Sequence, residues 1–420
     1  MPVWFRKEVQ GMSWKTCLMA VGEASFDFCV VAGARMASIP CGIKPDGVHD
    51  LVMFEFAEGS TTAAVYTKNL FAAAPVDVGK RHLQLVSPRY FLINSGNANA
   101  ATGDEGVADS LTCCKSLSQL AGVRPEEVIP FSTGVIGERL PVSRITDALH
   151  DMLPCLDENN WLEAARGIMT TDTRPKIVSR QMEILGEKIT ITGIAKGSGM
   201  IQPNMATMLS YIATDALLSQ RALQDMLVRA TARSFNRITV DSDTSTNDSC
   251  MLTATGASGV DIGKEPSARE AFYEALEELM IELAKGIIRD AEGATKFVEV
   301  RVINGEANKE CLNIAYAIAN SPLIKTAIFA SDANWGRIVM AIGKADVDID
   351  ISRLDVYIGE VQLMSQGVKD PGYEESMGAK AMSSEEITIT VNLNAGDRSE
   401  TVWTSDLSHE YVRINAEYRT

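Results

Sequence analysis

The sequence predicts an α/β fold in one body, and three observations carry that expectation. Segments of helical period and of strand period are mixed through both halves of the chain. No low-complexity linker divides them, and no internal repeat stands out. A composition of 46% hydrophobic and 22% charged residues over 420 positions supplies the apolar material of a large core.

Taken in chain order, the first apolar stretch is Cys17 to Ala34. Glu23 and Asp27 interrupt it and no small-residue cleavage site follows, so no signal peptide is expected. Val107 to Ala121 places Val107, Leu111, Cys114 and Ala121 on one face and stops at Gly122, which predicts a helix. Ile189 and Ile191 predict a strand leading to Lys196, and Met208 to Ala213 is a further apolar run. Leu223, Met226, Leu227 and Ala230 form the stripe of a second helix. A third opens on a capping box, Ser267-x-x-Glu270, and continues through Phe272, Leu276, Leu279, Leu283 and Ile287. Phe297 to Val302 alternates as a strand. So do Val347, Ile349 and Ile351 among aspartates, and Ile387, Ile389, Val391 and Leu393 among polar residues. These strands read as half-buried and largely antiparallel.

The charge balance narrows the function. Against 39 Lys+Arg stand 55 Asp+Glu, a formal net charge of −16. A surface that negative repels phosphate backbones, so nucleic acid is not an expected partner. No apolar run reaches the roughly 18–20 residues of a membrane-spanning helix, and no membrane partner is expected. The eight cysteines are scattered without C-x-x-C, which points to reduced thiols in a cytoplasmic protein. His49, His82, His150 and His409 fall in no metal-binding motif, and no metal is expected. One consequence follows for an anionic substrate: an acidic chain has to build a local positive site for it.

Four segments are richer in small, hydroxyl and amide residues than core packing requires. They are Asn94–Ala100 (NSGNANA), Ser132–Gly137 (STGVIG), Lys196–Thr207 (KGSGMIQPNMAT) and Asp241–Ser249 (DSDTSTNDS). Singly, each is open to a plain interpretation. Gly197 and Gly199 suit a turn, and neither a Walker loop nor a dinucleotide fingerprint is present. The Asp241–Ser249 run suits a solvated loop or an Asp-rich cation site, though it lacks the glycine and terminal glutamate of an EF-hand.

Together they are specific. Lys196–Asp215 (KGSGMIQPNMATMLSYIATD) resembles the autoprocessing segment of the ornithine acetyltransferase family, also called glutamate N-acetyltransferases. Seven further blocks resemble that family in its own order: NSGNANAATG (Asn94–Gly103), FSTGVIGERLP (Phe131–Pro141), MTTDTRPK (Met169–Lys176), VDSDTSTNDS (Val240–Ser249), DAEGATK (Asp290–Lys296), NWGRI (Asn334–Ile338) and YVRINAEYRT (Tyr411–Thr420). The departures are Ser242 where the family usually has glycine, Ala101 where it has cysteine, and Ala333 where it has proline.

The resemblance implies a layered α/β/β/α fold of the self-processing, N-terminal-nucleophile-like type. It implies that the chain cuts itself between Ala206 and Thr207, giving an α chain (1–206) and a β chain (207–420) that stay associated, as a heterotetramer of two of each. Thr207 then carries a free α-amine, whose reference pKa of about 7.7–8.0 makes it a better base at neutral pH than a lysine near 10.4. Thr133 and Gly134 match the family's oxyanion-hole positions. Thr170, Lys196, Thr207, Glu292, Asn415 and Thr420 match its substrate contacts. The implied reaction moves an acetyl group from N2-acetyl-L-ornithine to L-glutamate through an acetyl-threonine, with Lys196 holding a carboxylate and Glu292 meeting the ornithine ammonium. No cofactor is implied, although some members also take acetyl-CoA as a first donor.

Two rival functions remain on the sequence alone. An aminopeptidase of the same self-processing fold would pass the acyl group to water, and a non-catalytic ligand-binding homologue would show no turnover.

Overall fold

The computed structural model describes residues 4–9, 12–17, 28–45, 47–202 and 208–417. They fall into two compact units. The first draws on 1–197, 203–236 and 244–284, and the second on 198–202, 237–243 and 285–420. Neither boundary set coincides with a division at Ala206 and Thr207. The chain changes unit five times, the last within helix Pro266–Arg289, and no linker of biased composition marks any of the changes.

The first unit contains two sheets. Its seven-stranded sheet runs in the order Trp4–Val9, Met12–Cys17, Lys176–Ile184, Glu187–Lys196, Leu209–Thr214, Ser249–Ala254, Thr61–Tyr66. Neighbours are antiparallel except Leu209–Thr214 beside Ser249–Ala254, which is parallel. The four-stranded sheet runs Ala34–Ile39, Leu51–Phe56, Tyr90–Asn97, Val128–Val135, its last pair parallel. The inner faces meet in one core, where Phe54, Phe91, Phe131 and Trp161 pack with Tyr211, Ile194 and Met251 of the larger sheet. Ring pairs such as Phe56–Phe91 at 4.9 Å and Phe131–Tyr211 at 5.1 Å lie edge to face, the favoured aromatic geometry.

Helices cover both outer faces. Helices Gly103–Ala121 and Val142–Met152 bring Cys113, Leu117, Ile145 and Leu149 against Met53 and Leu92 of the smaller sheet. On the larger sheet, a Cβ at Gly193 would touch Leu279 and Leu283 of helix Pro266–Arg289. Helix Gln220–Arg233 lies along the edge strand Thr61–Tyr66. There the Gln224 side chain donates to the Ala64 carbonyl at 3.0 Å and accepts from the Ala64 amide at 3.2 Å. This unit is therefore the α/β/β/α sandwich that the resemblance implies.

The second unit is one seven-stranded mixed sheet: Ile238–Thr239, Arg398–Ser405, Phe297–Gly305, Glu386–Asn392, Asp355–Ile358, Val361–Ser365, Val368–Lys369. Its core packs Val298, Val300 and Ile389 against Ile314, Ile318 and Ile342 of helices Asn308–Ala319 and Trp335–Gly343.

Several local expectations meet their test here. The first helix ends at Ala121 as expected, with Gly122 left-handed at φ 69°. Its buried face is Ser110, Cys113, Cys114 and Leu117, whereas Leu111 is 38% exposed. The third helix begins at Pro266, so Ser267 lies inside its first turn rather than capping it. Proline is favoured there because its missing N–H would be unbonded anyway. The strand expected at Val347–Ile351 is not formed. Residues 346–350 are irregular and lead into a 3-10 turn, Ile351–Arg353, where the Asp350 side chain accepts from the Ser352 amide at 3.0 Å. Aspartates bonding their own backbone in this way compete with strand pairing.

Lys325 gives the second unit a pH dependence. Its ammonium is fully buried and donates to Thr404 Oγ1 at 2.8 Å and to the Ser405 carbonyl. Burial lowers its pKa to about 8 against the pull of Asp406 and Asp241. A lysine depressed in this way binds fewer protons folded than unfolded, so its contribution rises with pH from about 8 toward the ordinary lysine value. We predict that Lys325→Met removes that increment when unfolding is followed by urea titration from pH 7 to 10. An unchanged slope would refute it.

Candidate active site

Strands Tyr90–Asn97 and Val128–Val135 run parallel until their register shifts at Gly96 and Asn97. Thr133 and Gly134 sit at this break. Gly134 has φ 137°, and a Cβ there would lie 2.2 Å from the Gly96 carbonyl carbon, so no other residue fits. The amide-rich blocks lock the break in place. Ser132 Oγ donates to Asn94 Oδ1 at 2.6 Å, and Asn94 Nδ2 donates to the Asn97 carbonyl at 2.8 Å. Asn97 reaches the carbonyls of Glu138 and Arg139, and Asn247 bridges those of Ala98 and Ser132 at 2.6 and 2.8 Å. Buried backbone groups at irregular strand ends need such partners.

Lys196 ends strand Glu187–Lys196 and donates to Thr133 Oγ1 at 3.3 Å. Beside it Asp172 is buried and accepts from the Gly197 amide at 2.7 Å, the Thr170 amide at 3.0 Å, and Lys176 Nζ. Burial opposes its charge. The adjacent Lys176 and Lys196 ammoniums and the Gly197 amide outweigh that and hold it well below the usual carboxylate range. Asp248 shows the opposite balance. Its burial is only partly offset by Ser245 and Lys196, and its pKa is pushed well up. Thr133, Gly134, Thr170 and Lys196 are thus gathered into one network.

In the second unit, Glu292 is 9% exposed and its Oε2 accepts from Asn415 Nδ2 at 2.7 Å. The Glu292 amide donates to the Ser198 carbonyl at 2.9 Å, and a Cβ on Gly199 would sit 2.4 Å from the Glu292 carboxyl carbon, so glycine is required for this approach. Helix His409–Ala416 carries Asn415 to that position, with Ser408 capping its start. Asp241 anchors the arrangement by accepting from the Met200 amide at 2.6 Å, the Ile201 amide at 2.8 Å and the Tyr411 hydroxyl at 3.2 Å. Burial and the neighbouring Asp241 carboxylate push the Tyr411 phenol up. The Asp241–Ser249 run thus spends Asp241 and Asn247 on backbone groups. Among the described residues no cluster of His, Cys, Asp and Glu has the arrangement of a metal site.

Ala206, Thr207 and Thr420 lie outside the described residues. Sequence reasoning did not single out Asp172, Lys176, Asp241 or Tyr411, although all stand inside the family-like blocks. Two of the family departures fall on left-handed backbone, Ser242 at φ 66° and Ala101 at φ 57°.

Comparison with known proteins gives a consistent answer. Residues 35–420 match the ArgJ family. The chain is 52% identical to the arginine biosynthesis bifunctional protein ArgJ of Pseudomonas fluorescens (strain Pf0-1), across 93% of this chain and 97% of that one. It is 48% identical to the ArgJ of Psychrobacter arcticus, across 96% of this chain and all of that one. Among solved structures it resembles an ornithine acetyltransferase complexed with ornithine from Mycobacterium tuberculosis, at 33% identity and a TM-score of 0.40, covering 42% of this chain and 94% of that one.

Two substitutions test the first network. Gly134→Ala should destabilise the protein by about 3 kcal/mol or more through backbone strain and overpacking, read as a lowered denaturation midpoint. A wild-type midpoint would contradict the close approach. Asp172→Asn and Lys176→Met should each cost about 3–5 kcal/mol, because each leaves a buried charge unpaired. The double variant should lose less than the two losses combined, and strict additivity would show that the pair is not coupled.

Proposed function

Because the chain belongs to the ArgJ family, we infer that it transfers the acetyl group of N2-acetyl-L-ornithine to L-glutamate, giving L-ornithine and N-acetyl-L-glutamate for arginine biosynthesis. The observation that carries the assignment of parts is the Thr133–Gly134 strand break with Lys196 bonded to Thr133.

Self-cleavage between Ala206 and Thr207 leaves fragments of 206 and 214 residues, with Thr207 at a new amino terminus. Its α-amine takes the hydroxyl proton as Thr207 Oγ attacks the acetyl carbonyl. Thr133 and Gly134 meet the resulting oxyanion, and one such donor is typically worth about 3–4 kcal/mol. Thr133 is suited to the task because its Oγ1 already accepts from the Lys196 ammonium, which leaves its own hydrogen to donate elsewhere. The tetrahedral intermediate collapses, the proton passes to the departing nitrogen, and ornithine leaves. The α-amine of glutamate then attacks the acetyl-threonine by the same route in reverse.

Lys196 holds a substrate carboxylate, Glu292 meets the ornithine ammonium, and Thr170, Asn415 and Thr420 complete the contacts. Support for Glu292 comes from its burial and the hydrogen bond from the Asn415 amide, which keep the carboxylate aimed and poorly solvated. The reaction proceeds without a metal or organic cofactor in a cytoplasmic assembly of two α and two β chains.

Denaturing mass spectrometry of active protein should show two fragments in place of one species near 45.5 kDa. Thr207→Ala should give the uncut chain with no acetyl transfer. An intact chain in active wild-type protein, or activity surviving in the variant, would overturn the nucleophile.

A further inference from the structure

The site network of the first unit contains a third ammonium that the proposed reaction leaves unassigned. Lys44 lies in the loop between strands Ala34–Ile39 and Leu51–Phe56. The loop is fixed from within. Asp50, fully buried, accepts from the Cys41 amide at 2.6 Å and the Lys44 amide at 2.7 Å, so both of its oxygens are engaged by backbone. The stem of Lys44 lies against Gly96, where a Cβ would come 3.2 Å from Lys44 Cγ. That glycine belongs to the strand break that presents Thr133.

The head of Lys44 donates to the Met169 carbonyl at 2.7 Å, next to Thr170, and to the His49 carbonyl at 3.4 Å. Its partners are neutral. Among the described residues the half-buried ammonium forms no direct ion pair, and its third hydrogen has no acceptor. Burial and the nearby Lys196 charge both work against the Lys44 charge, partly balanced by Asp50 and Asp172. Asp172, meanwhile, is paired directly with Lys176. A carboxylate brought beside Lys44 and Lys196 relieves their mutual repulsion.

The substrates of the proposed reaction differ in this respect. Both carry an α-carboxylate, but glutamate has a second carboxylate where ornithine has an ammonium. We propose that Lys44 is a specificity-determining residue of the second half-reaction, supplying beside Lys196 the further positive charge that a dicarboxylate acceptor needs. The inference rests on the acetyl-transfer reading above. A cation placed there favours glutamate and penalises a ligand with a positive side chain, the two-sided pattern of electrostatic selection.

The test compares glutamate with glutamine as acceptors from N2-acetyl-L-ornithine, in wild-type, Lys44→Met and Lys44→Arg proteins. Glutamine keeps the shape of glutamate and loses the charge. Lys44→Met should lower the glutamate-to-glutamine ratio of kcat/KM about tenfold, with the KM for N2-acetyl-L-ornithine unchanged or lower. Lys44→Arg should retain most of the ratio. A lysine that only clamps Met169 predicts otherwise: both acceptors weaken alike and the donor KM rises with them. Either of those outcomes overturns the proposal. A wild-type enzyme that passes no acetyl group to glutamate would overturn the underlying reaction, and this inference with it.

Discussion

The first-unit network is organised by a carboxylate that solvent does not reach. Asp172 would be a liability if buried alone, since an ionised group in a protein interior costs several kcal/mol unless it is paired and hydrogen-bonded. Here Lys176 supplies the opposite charge, and the amides of Thr170 and Gly197 add two further hydrogen bonds. The residues that satisfy Asp172 stand among or beside those to which the proposed reaction gives a role. Thr170 and Gly197 are fixed by the requirement of burying one charge, and Lys196 is fixed beside them. Stability and site geometry are thus set by the same bonds.

The two face-to-face sheets explain why that charge lies where it does. The aromatic layer between them spaces strand Val128–Val135 from strand Glu187–Lys196, and Lys196 crosses from one sheet to Thr133 on the other. A lysine has the reach for that span, and its ammonium is delivered to the ends of the strands, where the backbone departs from ladder pairing. The register shift at Gly96 and Asn97 leaves backbone groups unspent by the sheet. Asn94, Asn97 and Asn247 consume some of them, and what remains is a rigid, irregular corner suited to donating hydrogen bonds to a reacting carbonyl.

Much of this was legible in the sequence where a pattern has one physical cause. Alternation at Glu386–Asn392 and the 3.6-residue stripe at Leu223–Ala230 follow from one-sided burial, and both form as expected. The expectation fails where a second interaction competes. The alternating segment Val347–Ile351 is lost to an aspartate-capped turn, and Ser267 falls inside a helix that already begins at Pro266. Motif matching proposed Thr133, Gly134, Thr170 and Lys196, which the first unit gathers, and Glu292 and Asn415, which the second brings together, but gave no role to the groups bonded to them. Asp172, Asp241 and Lys44 do their work through backbone carbonyls and amides. Those partners are set by how distant segments meet, and no residue pattern encodes them locally.

The clasp of Gln224 on Ala64 has a consequence beyond the helix that carries it. Strand Thr61–Tyr66 ends its sheet, and an open sheet margin invites a further strand from a second molecule. The carboxamide of Gln224 imitates one residue of such a strand, and Gln220 Nε2 takes the Thr62 carbonyl at 2.6 Å. The Ala64 amide and carbonyl and the Thr62 carbonyl are therefore engaged from within the chain. A strand from a second copy would have to displace two glutamine side chains before it could extend the sheet there, so this margin is blunted against strand exchange.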